Sequence, residues 1–282
     1  MHRTLIIIGT IAAAVSCAFL AAGQNRGQAA AEGAPADSGQ SVTGAYEGWY
    51  PNPDGTSTML VGYFNRNAKE TFDIPAGPNN RIEPGGPDQG QPMHFLPRRQ
   101  WGVFTITVPK DFGDKRLTWT ITTNGQTQSI PLNLNPLWVV APFKDASGNA
   151  APVIRFEPGG RSFAGPPRGS AQTLTGKVSD PLSLTAWVTD ESSAPRPQRG
   201  GGRGGGASPV AASWSLFRGP ASVTIEDARP HVEADGKAAT TARFSQPGEY
   251  ILRLQANNST GDGGGGFQCC WTNVHVKVTV SP

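Results

Sequence analysis

The sequence is poor in what most enzymes and metal proteins are built from. It has three cysteines, three methionines and four histidines in 282 residues, and only 16% of its residues are charged. Cys17 and His2 fall in an apolar leader, so the body of the chain keeps the pair Cys269-Cys270 and the histidines His94, His231 and His275. There is no Gly-x-Ser-x-Gly, His-Glu-x-x-His or P-loop pattern, and no Cys-x-x-Cys-His for haem. Carboxylates are scattered, with no close pair of the glycosidase kind. Asp180, Asp190, Glu191, Asp227 and Asp262 lack the dense Asp spacing of a calcium loop. No catalytic residue and no cofactor are therefore assigned. Beyond the first 25 residues no amphipathic helical repeat is sustained, which excludes a helical bundle.

What is abundant is punctuation: 36 glycines and 25 prolines. With short alternating runs between them, this composition predicts an all-β protein long enough for two domains.

The opening MHRTLIIIGTIAAAVSCAFLAAGQ carries Arg3, an apolar run from Leu5 to Ala22 and small residues at its end. It reads as a secretory signal peptide over 1–23, cleaved after Gly23. A lipoprotein signal at Cys17 is disfavoured by the apolar Ala18-Phe19-Leu20, and an uncleaved anchor is a third option. Residues 24–41 are small and polar and read as a disordered tether. Setting aside Arg3, Arg196, Arg199 and Arg203 takes the formal charge from +3 to −1, so no basic face for nucleic acid is implied.

Residues 42–144 read as an N-terminal β-sandwich. Met59, Val61 and Tyr63 alternate, as do Phe104, Ile106 and Val108, and Asn124-Gly125 suits a type I′ hairpin. "LWVVAP" reads as a last strand, and the segment 75–95, rich in Pro and Gly, as a long functional or mobile loop. Residues 145–170 read as an extended, partly packed connector between domains. The stretch 192–208, "RPQRGGGRGGG" at its centre, reads as a soluble loop.

The final block, 171–282, holds Val188-Thr189-Asp190, Trp214, Gly219-Pro220, Phe244, Pro247-Gly248-Glu249-Tyr250 and an alternating strand from Val274 to Val280. In order and spacing these resemble the PKD/REJ-type immunoglobulin-like modules of bacterial surface proteins. The resemblance implies a second β-sandwich, with Trp214 and Tyr250 in its core, and a spacer or adhesive role. It says little about chemistry.

In "FQCCWTNVHVKVTV", strand parity puts Cys270 on the inward face with Val274 and Val276, and Cys269, Trp271 and His275 on the other. Cys269 and His275 lie ~20 Å apart along an extended strand, too far for one metal ion. The open readings for the pair are a buried thiol, a vicinal disulfide between Cys269 and Cys270 favoured by export, and thiolate metal or redox chemistry. For binding, the candidates are Tyr46, Trp49 and Tyr50 in "YEGWYPNP", with Trp101 and Trp119 projecting from strands, and His94 at the end of the long loop. Aromatic platforms of this kind stack on sugars or anchor protein partners. The sequence thus implies an exported, non-catalytic binding or structural protein, at the cell surface, in the periplasm or extracellular. Its partner would be an envelope protein or a glycan. The alternative is an enzyme-associated or metal-handling module using His94 or the cysteine pair.

Overall fold

The computed structural model describes residues 36–145, 148–190, 210–258 and 270–282. The signal segment, the 192–208 loop and Cys269 lie outside the described residues. Two β-sandwiches in tandem make up the described chain, and no α-helix occurs among those residues.

The first sandwich contains β1 (Val42–Pro51), β2 (Ser57–Asn65), β3 (Phe72–Asp73), β4 (Asn80–Glu83), β5 (His94–Phe95), β6 (Arg98–Val108), β7 (Leu117–Thr123) and β8 (Gln126–Leu132). One sheet has the order β1-β2-β6 and the other β4-β7-β8, with β3-β5 as a small ribbon. Leaving the ribbon aside, these are the A-B-E and C-F-G sheets of an immunoglobulin-like sandwich. Alternating apolar residues from both sheets close on Trp119, which is 1% exposed and packs edge-on to Phe104 with ring centroids 5.1 Å apart. Asn124 and Gly125 have φ of 49° and 72°, the two positive values that a type I′ turn requires between β7 and β8.

The second sandwich contains β9 (Val153–Arg155), β10 (Phe163–Ala164), β11 (Ser170–Lys177), β12 (Leu182–Thr189), β13 (Val210–Arg218), β14 (Val223–Ile225), β15 (Lys237–Phe244), β16 (Gly248–Asn258) and β17 (Trp271–Ser281). Its sheets run β10-β9-β12-β15-β14 and β11-β17-β16-β13, with β11 parallel to β17. In strand letters this is A-B-E-D, with one added edge strand, facing A′-G-F-C. Two local features belong to the same fold. Trp214 on the third strand of the seven is 3% exposed in the core. Tyr250, near the start of the sixth, is fully buried and donates its hydroxyl hydrogen to Gln246 O at 2.8 Å, which pins the corner after β15.

Three expectations need correction. The 145–170 segment is more than an extended, partly packed connector: β9 and β10 join the five-stranded sheet, and Ile154 is fully buried in the second core. The 75–95 segment is not structureless, since it supplies β4 and β5. Asn80 and Gln91 are fully buried there, with Asn80 Nδ2 donating to Ile74 O and Pro92 O. Residues 36–41, placed in the tether, are tied to the turn at 67–70 through Ala68 N–Ala36 O at 2.8 Å and Gln40 N–Asn67 Oδ1 at 2.7 Å. In each case backbone polar groups find partners through short elements that alternation cannot register.

The two sandwiches are packed on each other rather than strung apart. The outer face of the sheet containing β13, β16 and β17 is covered by β6 and by the 88–93 turn. Phe217 is 2% exposed inside the first core, and Ile251 packs on the same cluster. Met93 N donates to Phe217 O at 3.0 Å, and Arg218 grips Asp88 with both terminal nitrogens at 2.7 and 3.0 Å. Asn273 Nδ2 donates to the carbonyls of Trp101 and Gly102, each at 3.0 Å. Trp271 lies fully buried over Gly102, where an added Cβ would meet the indole at 1.6 Å. With φ of +51°, residue 102 needs glycine for its backbone as well as for this close approach.

Candidate functional site

The surface site is assembled by an irregularity in β1. Tyr46 pairs with Val61 and Gly48 with Leu60, so Glu47 is an extra residue in a β-bulge. In a regular strand residues 46 and 49 would point to opposite faces; the bulge brings them to one side. Tyr46 donates its hydroxyl hydrogen to Asn133 O and stacks on Trp138 with centroids 5.5 Å apart. Trp49 Nε1 donates to Asn135 O at 2.8 Å. Both therefore hold the segment 133–140.

That segment is the expected strand "LWVVAP", and it is a 3₁₀ turn (Pro136–Trp138) instead. Asn135 caps it, its Oδ1 accepting from Leu137 N at 2.9 Å, and Pro136 supplies a φ suited to a helical start. Val140 N then donates to Trp49 O at 2.9 Å, laying the segment along β1. Gly48 is required underneath, because a Cβ there would sit 2.4 Å from Trp138 O. The result is an apolar tip: Leu137 is 89% exposed, Trp138 48% and Val139 51%. Among the described residues the only other exposed large apolar side chain is Phe64. Scattered apolar residues are ordinary, but three in a row on a braced turn, backed by two aromatics, form a patch.

The other expected binding residues lie elsewhere. Tyr50 is buried, edge-on to Phe143 at 5.5 Å, because it follows Trp49 by one residue and so faces inward. Burial raises its hydroxyl above the ordinary tyrosine value, against the opposing pull of Arg168 and Thr58. Trp119 is core. Trp101 is half-buried under the Arg99 guanidinium, 3.8 Å above its ring. His94 is held by Asp73, Nδ1 to Oδ1 at 2.7 Å, and lines a small cleft with Gly219, Pro220 and Ser222. Sequence reasoning missed Leu137, Trp138 and Val139; the signal that could have found them is Asn-Pro ahead of the run, a turn initiator.

Cys270 is fully buried and disulfide-bonded, with its Sγ 3.1 Å from Asn149 O. Cys269 lies outside the described residues, so the expected vicinal pairing is not described. Among the described residues no three His, Cys, Asp or Glu side chains gather as metal ligands.

Glu47 and His275 are buried groups whose titration is shifted by their surroundings. Behind the bulge, Glu47 accepts from Arg99 Nη2 at 2.7 Å and from Gly102 N at 2.9 Å. Desolvation outweighs these contacts and pushes its carboxyl up to about 7. His275 stacks on Phe217 at 4.1 Å and donates from Nε2 to Val103 O at 3.1 Å. Its imidazole is pushed down to about 4 by burial, with Arg253 and Arg218 adding to the effect. Both groups are enclosed by protein, so neither is placed to meet a substrate.

No protein-family model matches the chain, and no curated protein matches it. Among solved structures it is similar to the D00–D0 domain of intimin, at 12% identity over 86% of this chain and 100% of that one, with a TM-score of 0.29. It is also similar to WR4, a member of the C. elegans MSP family, at 16% identity over 39% and 92%, with a TM-score of 0.24. The adhesin InvE of Yersinia pseudotuberculosis matches at 11% identity over 85% and 58%, with a TM-score of 0.26. Likenesses this slight carry no argument; the immunoglobulin-like assignment rests on strand order and on the Trp214 and Tyr250 features. No helix among the described residues is long and apolar enough to cross a membrane.

Proposed function

We propose that this chain is an exported, non-catalytic interaction protein of a bacterial envelope, with a PKD/REJ-like second sandwich bracing a first sandwich that carries the binding tip. The observation that supports it is the exposed Leu137-Trp138-Val139 turn, held against Tyr46 and Trp49. The apolar leader supports export, and the disulfide at Cys270 fits an oxidising compartment. An envelope protein is the favoured partner over a glycan, because exposed Leu and Val beside Trp make an apolar anchor rather than a flat sugar platform.

The test is retention of an envelope-protein fraction on the immobilised mature protein. Replacing Leu137 by Ser and Trp138 by Ala together should reduce variant-dependent retention about tenfold or more, as loss of an interface anchor does. Both side chains are exposed, so the melting temperature should move by no more than a few degrees. Undiminished retention by a folded variant would refute the tip as the binding site.

A further inference from the structure

Part of the β13-β16-β17 face is left uncovered by β6. A groove of about 580 Å³ opens there between the two sandwiches. Four guanidinium groups line it: Arg98 and Arg99 on β6, Arg229 on the turn after β14, and Arg253 on β16. No carboxylate is among the described residues lining it. Arg99 is matched by Glu47 from behind. Arg253 is different: it is 4% exposed, and its Nη2 donates to Gln100 Oε1, a neutral acceptor, at 2.6 Å. A guanidinium held in place by neighbouring strands, with positive groups on either side, is preorganised for an oxyanion.

The remaining lining mixes polar side chains with apolar ones such as Leu96, Pro97 and Trp101. Ser213 pairs with Gln255 across the strands, and Ser215 with Arg253, so two hydroxyls and an amide share the floor with that guanidinium. Trp101 adds a half-buried indole at the wall. Hydroxyl and amide groups beside an aromatic ring suit sugar hydroxyls and a sugar ring, and the arginines suit an acid on that ring. The size falls within the usual range of small-ligand clefts, about 300–1,000 Å³. Nucleic acid is disfavoured, since the body of the protein is otherwise near neutral.

We propose that this interdomain groove binds an acidic saccharide, the guanidinium groups taking its carboxylate and Ser213, Ser215 and Gln255 its hydroxyls. Calorimetric titration of the mature protein with trigalacturonic acid, its methyl ester and a triglutamate peptide tests it. The acid should bind at least about tenfold more tightly than either of the others, and less tightly at high salt. The double substitution Arg98→Ala with Arg229→Ala changes exposed side chains, so it should leave the melt unchanged and weaken the acid about tenfold. Arg253→Gln should abolish binding. Equal affinity for acid and ester would overturn the proposal. So would triglutamate bound as well as the acid, no binding of the acid at millimolar concentration, or an unaffected double variant.

Discussion

Gly102→Ala is expected to be among the most damaging single-methyl additions this protein can receive. The new Cβ would fall 1.6 Å from the Trp271 ring, at a backbone φ of +51°. Left-handed backbone costs a non-glycine residue about 1–2 kcal/mol, and overpacking a dense site about 1–3 kcal/mol more. A loss of about 2–5 kcal/mol is large against the ~5–15 kcal/mol that holds a typical protein folded. The cause can be separated by a double-mutant cycle in urea. Trp271→Ala alone should cost about 3–5 kcal/mol through the cavity it leaves between the sandwiches. In that background Gly102→Ala should cost only its backbone share, leaving a coupling of about 1–3 kcal/mol. Equal cost in both backgrounds would mean that the ring does not rest on residue 102.

The second large effect is a pair of hidden pH dependences. Glu47, at about 7 when folded, binds more protons in the native than in the unfolded state between pH 4.5 and 7. Its contribution is therefore full at low pH and is lost as pH rises through 7. His275, at about 4 when folded, binds fewer protons natively between pH 4 and 6.5. Its contribution is present above 6.5 and is lost as pH falls through 4. From pH 4.5 to 6.5 the two slopes oppose each other, each about 1.4 kcal/mol per pH unit, and the wild-type protein shows little of either. Glu47→Gln should unmask the histidine, with stability rising by about 3 kcal/mol, relative to wild type, from pH 4 to 7. His275→Gln should unmask the glutamate, with stability falling by a similar amount. Denaturation midpoints across this range check both, and profiles parallel to wild type would contradict the burial of these groups.

Strand alternation was legible where strands are long and one partner is close in sequence. The β7–β8 hairpin with Asn124-Gly125, the inward set Val274 to Val280, and the core positions of Trp214 and Tyr250 were all readable that way. Strands of two or three residues, such as β9, β10 and β5, carry too few side chains to show a period. The face opposite Val274 was assigned correctly by parity, but parity does not say what covers a face. Trp271, Asn273 and His275 are buried because another sandwich lies on them, a contact made more than 160 residues away in the chain. The exposed tip was half legible: Tyr46 and Trp49 were visible as an aromatic cluster. The bulge at Glu47 that puts them on one side has no marker in the alternation, and neither does the turn that exposes Trp138.

Hydroxyl-radical footprinting of the folded mature protein, with and without its envelope fraction, bears most directly on the proposed role. Oxidation of Leu137, Trp138 and Val139, read by mass spectrometry, should be strong in the free protein and should fall when the fraction is bound, while Phe64 stays unchanged. Bound protein in which Trp138 oxidises as readily as in free protein would place recognition elsewhere on the surface and contradict the account.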